Sequence, residues 1–182
     1  MSKKQFTVTS ALPYANGPLH IGHMAGAYLP ADIFVRYQRL KENEVLFICG
    51  SDEHGAAITL RSKKENISPQ EIVDKYHNIN KQSFKDFGID FSIFHRTSSE
   101  IHHKTAREFF SNLLKNKKFI KKYTKQFFDK KNNQFLADRY ISGECPKCGY
   151  LHAYGDQCEK CGSTLSPEEL INPKSTISGN TP

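Results

Sequence analysis

Two short apolar strands bracket a helical segment at the start of the chain, and few folds accommodate that order. Phe6-Thr-Val-Thr9 reads as a buried strand and leads through Pro13, Asn16, Gly17 and Pro18, all turn formers, to a segment with helical spacing. There Ile21, Ala25, Leu29, Ile33, Tyr37 and Leu40 recur about once per turn, and residues 45–49 form a second apolar strand. Strand, crossover helix, strand is a βαβ unit, which predicts a parallel sheet with ligands at the carboxyl ends of its strands. Pro30 lies inside the helical segment, so a kink or break is expected there.

The same texture continues for about seventy residues more. Ser68-Pro69-Gln70-Glu71 is a capping box with proline at the first helical position, followed by Ile72, Tyr76, Ile79, Ser83 and Phe87, with Gly88 as the stop. Residues 89–94 alternate like a strand. Thr97-Ser-Ser-Glu100 repeats the capping signal, and Ile101, Thr105, Phe109, Leu113 and Leu114 supply an apolar face for a helix ending near Lys117. After Phe119 short strand-like pieces alternate with polar turns, including residues 130–133 between Phe127-Phe128 and Phe135-Leu136. A domain boundary is therefore expected near residue 118, giving units 1–117 and 118–182. The tail 163–182, rich in Ser, Thr, Pro, Asn and Gly, offers little to fold around.

His20-Ile21-Gly22-His23 opens the first helix directly after strand and turn. Free amides and the helix dipole favour an anion there, Gly22 lets a ligand approach the backbone, and imidazoles can donate to phosphate oxygens. The same residues also suit an ordinary exposed helix start. Asp52, just past the second strand, either caps the following segment or points into the ligand crevice, where it would receive a cation.

Four of the five cysteines form two pairs, Cys145-x2-Cys148 and Cys158-x2-Cys161, nine residues apart, and Gly149 or Gly162 follows each pair. Four thiolates at this spacing suit a tetrahedral structural zinc, with no coordination position left for catalysis. His152, between the pairs, is read as a bystander. Cys49, inside the apolar run, is read as a small core residue.

Ala11-Leu-Pro-Tyr-Ala-Asn-Gly-Pro-Leu-His-Ile-Gly-His23 resembles the signature of class I aminoacyl-tRNA synthetases in the form carried by methionyl enzymes, and Phe47-Ile-Cys-Gly-Ser-Asp-Glu-His-Gly55 resembles that family's next block. The resemblance covers essentially the whole chain, to Asn172-Pro-Lys-Ser175. It implies an α/β fold, the first half of a Rossmann-like nucleotide-binding domain, with an inserted zinc-knuckle subdomain at residues 145–161. It also implies a ligase that activates methionine with ATP, accompanied by magnesium, and esterifies tRNA(Met). Carried onto this sequence, His20 and His23 would be catalytic and hold the triphosphate, and Gly22 would make room for the nucleotide. Leu12 and Tyr14 would line the methionine pocket, and Asp52 would pair with the substrate's ammonium group. Glu53 and His54 are expected near the site. The family's Lys-Met-Ser-Lys-Ser motif does not occur in these 182 residues. The chain is thus expected to stop inside the insertion and to be inactive alone.

Bulk properties narrow the alternatives. No apolar run approaches the roughly 20 residues that span a bilayer, and no apolar leader follows the first lysines, so a cytoplasmic protein is expected. The net charge of +7 favours a polyanionic partner. Eight lysines lie from Lys115 to Lys131 with Asp129 as the only acid, which reads equally as a solvated face or a nucleic-acid surface. The rival readings are a zinc-knuckle RNA-binding module with a vestigial nucleotide site, and a small nucleotidyltransferase. The composition says nothing of oligomeric state.

Overall fold

The computed structural model describes residues 3–182, which divide into two compact units, residues 3–119 and Ile120–Pro182. In the first, β1 (Gln5–Thr9), β2 (Glu44–Ser51) and β3 (Ile93–Arg96) form a parallel sheet in the order β1-β2-β3. Val8 pairs with Phe47, and Ile48 with Ile93.

The helical crossover between β1 and β2 starts with one α turn, α1 (Ile21–His23), widens into a π-helical turn at Met24–Tyr28, and continues as α2 (Leu29–Leu40). The irregularity expected at Pro30 therefore falls in the turn before it. Pro30 has no N–H to give to the carbonyl four residues back, and its ring would crowd that carbonyl. The wider turn accommodates this, with the Leu29 amide reaching Met24 O five residues back.

Between β2 and β3 lie α3 (Ala56–Glu65) and α4 (Pro69–Asp86). The α4 capping box forms as its sequence predicts: Glu71 N donates to Ser68 Oγ at 3.2 Å, and Ser68 N to Glu71 Oε2 at 2.8 Å. Gly88, at φ +70°, ends the turn after α4. The helix α3 has no counterpart in the sequence reading. Only Ile58 and Ser62 of it are buried, so its apolar pattern is too sparse to show.

Met24, Tyr28, Val35, Phe47, Cys49, Phe84 and Ile89 form the main core on the α2 and α4 side of the sheet, and Cys49 sits in it as expected. A second cluster, Ala15, Ile58, Ile72, Val73 and Tyr76, lies under the loop that follows β1.

Two expectations need correction. The strand read at 89–94 begins only at Ile93 and runs to Arg96. Ile89 is instead a core plug, and Ser92 ties the segment to β2 by donating N–H to Phe47 O and accepting from Phe47 N. The helix α5 (Glu100–Lys115) is capped by Ser99, not Thr97, and none of its residues is buried. Among the described residues its apolar stripe stays in solvent, with Phe109 67% exposed.

The second unit holds a hairpin, β4 (Phe128–Asp129) with β5 (Gln134–Phe135), turning through residues 130–133 as the sequence predicts. It also holds a three-stranded antiparallel sheet in the order β7-β6-β8, built from β6 (Ile141–Glu144), β7 (Ala153–Tyr154) and β8 (Ile171–Ser175). The tail is not featureless: β8 pairs with β6, and Leu165 and Leu170 join Leu136, Ile141, Cys145, Ala153 and Cys158 in the unit's core. Ser175 donates to the buried carboxylate of Asp129 at 2.6 Å, which also accepts from the Lys131 and Asn132 amides. A few well-spaced apolar residues and one buried acid order a segment whose composition looks like a linker.

Candidate active site

The loop after β1 and the end of β2 are stitched together where a ligand crevice is expected. Asp52 N donates to Pro13 O at 2.9 Å and Ala15 N to Asp52 O at 2.8 Å, so Tyr14 and Asp52 are backbone partners in a parallel bridge. Ala15 is fully buried, which anchors the loop from below. Gly55 completes the corner. Its φ of +123° suits glycine, and a Cβ there would lie 2.5 Å from the Tyr14 hydroxyl.

Beyond this loop the helix opens on a cap made of two histidines. Gly22 N donates to His20 Nδ1 at 3.1 Å, and His20 N donates to His23 Nδ1 at 3.2 Å. The rings stack with centroids 3.7 Å apart. Because both Nδ1 atoms accept, both protons of the neutral rings sit on Nε2, leaving each ring a free-standing donor. Both side chains are exposed. Partial burial, and then the neighbouring His20, push the His23 pKa below the ordinary histidine value, which favours this neutral form. A Cβ on Gly22 would lie 3.1 Å from the His20 ring, so this glycine makes room for the capping imidazole itself. Asn80, fully buried on α4, accepts from Leu19 N at 3.2 Å and holds the chain just before the cap.

A cleft of about 530 Å³ opens beside the carboxyl ends of the strands, within the usual range for small-ligand sites. Leu12 lines it together with Ser10, Gly50, His95, Arg96 and His102. Tyr14, Asp52 and the two stacked histidines are not among its lining residues.

Behind Asp52 lies a buried polar network that sequence reasoning did not find. The Glu53 side chain is fully buried and accepts from Arg96 Nε at 2.8 and 3.0 Å and from the Ser98 hydroxyl. Arg96 Nη2 also reaches Asp74 Oδ1 at 2.6 Å. Nδ1 of His77 lies 2.7 Å from Ser51 Oγ and 3.6 Å from Glu53 Oε1. Burial, and then the charge of Arg96, lower the His77 pKa. These partners are 22 to 45 residues apart in sequence, and only the parallel pairing of β2 with β3 and the packing of α4 bring them together. His54 lies farther out, its Nε2 3.4 Å from that of His103.

In the second unit the two cysteine pairs occupy matching turns. Gly149 N donates to Cys145 O at 2.9 Å and Gly162 N to Cys158 O at 2.8 Å, both glycines near φ +70°. The four sulfurs lie within 4.8 Å of one another, with Cys145 to Cys161 at 3.9 Å and Cys148 to Cys158 at 3.6 Å. A tetrahedral site with metal–sulfur bonds of about 2.3 Å has edges of about 3.8 Å, so the set is spaced to hold a metal ion. Ser163, whose hydroxyl lies 3.3 Å from the Cys161 sulfur, lowers that thiol's pKa, while the neighbouring sulfurs raise that of Cys148, so the proton left among the thiols is held away from Cys161.

A three-stranded parallel sheet with crossover helices and a histidine-capped helix start at the carboxyl end of β1 defines a Rossmann-like α/β domain. Residues 6–182 match the family model described as tRNA synthetases class I (M), and the chain belongs to that family. The methionine–tRNA ligase of Bacteroides fragilis is 62% identical over 179 residues, covering 98% of this chain and 26% of that protein. That of Cytophaga hutchinsonii is 62% identical over 178 residues, with the same shares covered. The chain thus spans about a quarter of the length of the curated relatives it matches.

Among solved structures, Mycobacterium tuberculosis methionyl-tRNA synthetase in complex with methionyl-adenylate is similar, with a TM-score of 0.67 at 20% identity, covering 88% of this chain and 30% of that one. A leucyl enzyme from Agrobacterium radiobacter, in a ternary complex with tRNA, gives 0.66 at 24% identity over 85% of this chain and 20% of that one. At these identities the likeness is one of fold. No helix among the described residues is long and apolar enough to cross a membrane.

Proposed function

We propose that this chain is the amino-terminal part of a methionine–tRNA ligase and contributes one wall of its activation site. Residues 1–117 are the first half of the catalytic domain, and 118–182 begin the connective insertion. The observation that carries the reading is the two-histidine cap beside the Tyr14–Asp52 bridge at the carboxyl ends of β1 and β2. The relatives' name supports it.

In this reading Asp52 receives the ammonium group of methionine, and Leu12 and Tyr14 flank the side chain. The outward Nε2–H groups of His20 and His23 donate to the triphosphate of ATP, with its magnesium, as pyrophosphate departs. Such donors are already fixed before charge develops, which is the condition for electrostatic stabilisation of a transition state. Cys145, Cys148, Cys158 and Cys161 hold one zinc, whose role is to tie two turns together in a unit that would meet tRNA(Met).

ATP–pyrophosphate exchange by the full-length protein with methionine tests the reading. Exchange that depends on methionine and falls sharply on replacing His20 or His23 supports it. Exchange supported equally by other amino acids, or indifferent to both histidines, overturns it.

A further inference from the structure

Asp52 sits between two side chains that turn the opposite way, into the protein. Ser51 is fully buried and Glu53 is 4% exposed. Strand-like backbone alternates its side chains, so burying these two on one side sends Asp52 to the other. The backbone is pinned along both edges. Glu53 N donates to Thr97 Oγ1 at 2.9 Å and Thr97 N to Ser51 O at 3.1 Å on the β3 side. Pro13 and Ala15 hold Asp52 itself on the β1 side. On the buried side the Glu53 carboxylate is gripped by Arg96 and Ser98, with Arg96 tethered in turn to Asp74 on α4.

We propose that Glu53 and Arg96 are a positioning pair for Asp52, aiming its carboxylate at an ammonium group and so making the site prefer ligands that carry one. The proposal rests on the reading of Asp52 given above. Neither Glu53 nor Arg96 needs to touch the ligand. A buried carboxylate paired with a guanidinium has one low-energy arrangement, because either partner moving leaves a buried charge uncompensated. Neutralising Glu53 removes that constraint, and a displacement of about 1 Å at a binding group can cost on the order of 100-fold.

The test compares methionine with 4-(methylthio)butanoate, the same molecule without its amino group, by binding to the full-length protein. Wild type is expected to prefer methionine. Glu53→Gln should reduce that preference by about tenfold or more while leaving the affinities for the desamino compound and for ATP within about twofold. Ser98→Ala, which removes one donor to Glu53 without burying a lone charge, should reduce it by about threefold and serves where Glu53→Gln fails to fold. A wild-type preference that survives both substitutions, or a parallel weakening of both ligands, overturns the positioning pair. A wild type that binds the two compounds equally overturns the Asp52 reading, and the positioning pair with it.

Discussion

The imidazoles of His20 and His23 stack 3.7 Å apart while each Nδ1 accepts a backbone amide of the same helical turn, so one pair of rings both caps the helix and aims two Nε2 donors outward. The two jobs can be separated. His20→Asn keeps a side-chain acceptor at the cap position but has no group where Nε2 stood. It is expected to melt close to wild type while pyrophosphate exchange in the full-length protein falls by about 10² to 10³. His20→Ala should lose the same rate and also about 1 kcal/mol of stability. Exchange kinetics and thermal melts on the two variants check this.

Asp52→Ala should weaken methionine far more than ATP. An ammonium group left without its carboxylate in a desolvated site costs about 2 to 5 kcal/mol in comparable pairs. His23→Ala should instead lower the exchange rate with little change in methionine affinity, because its contact strengthens only as pyrophosphate leaves. Separate binding measurements for the two substrates distinguish these outcomes.

Metal analysis should find one zinc per chain. Structural zinc sites contribute about 10 to 16 kcal/mol of apparent binding energy, so chelation should unfold the segment that the four thiolates organise. Hydrogen exchange is expected to rise in residues 145–165 and to stay slow in β1, β2 and α4. Uniform deprotection of the chain, or none, contradicts this.

The first unit should lose stability as pH falls below about 6.5, because of His77. Its folded pKa lies below the ordinary histidine value through burial and the charge of Arg96, with Lys81 and His95 acting in the same direction and Glu53 opposing. The unfolded chain therefore takes up the proton first. The stabilisation is complete above the unfolded pKa and is lost as pH falls through the folded one. Denaturant titrations across this window should show the slope, and His77→Gln should flatten it. The shifted His23 pKa contributes in the same sense, which makes the variant comparison the decisive measurement.

Local pattern was legible wherever neighbours in sequence settle the outcome. The βαβ order, the Ser68–Glu71 box, the 130–133 turn and the paired cysteine turns all depend on residues a few positions apart, and each forms where the sequence places it. The histidine cap was visible as a motif, but not its geometry: that His20 and His23 satisfy each other's turn through Nδ1 depends on the ring positions.

Long-range pairing decided the rest. Ile89, Phe91 and Ile93 look like an alternating strand, yet the core formed by α2 and α4 takes Ile89 as a plug and delays β3 to Ile93. The apolar stripe of α5 reads as a core face, yet none of its residues is buried among the described residues, and Phe110 finds only Phe119 to stack on. The tail reads as a linker until Asp129, some 46 residues earlier, captures Ser175. Arg96, Asp74 and His77 carry no local signature at all, and Glu53, though it stands in a recognisable block, gives no sign there of its partners. Buried polar groups must find partners wherever the fold brings them, and that meeting is set by sheet register and helix packing, not by spacing along the chain. Neighbours along the chain settle the Ser68–Glu71 cap and the gathering of the four cysteines, while long-range packing settles what lies behind Asp52.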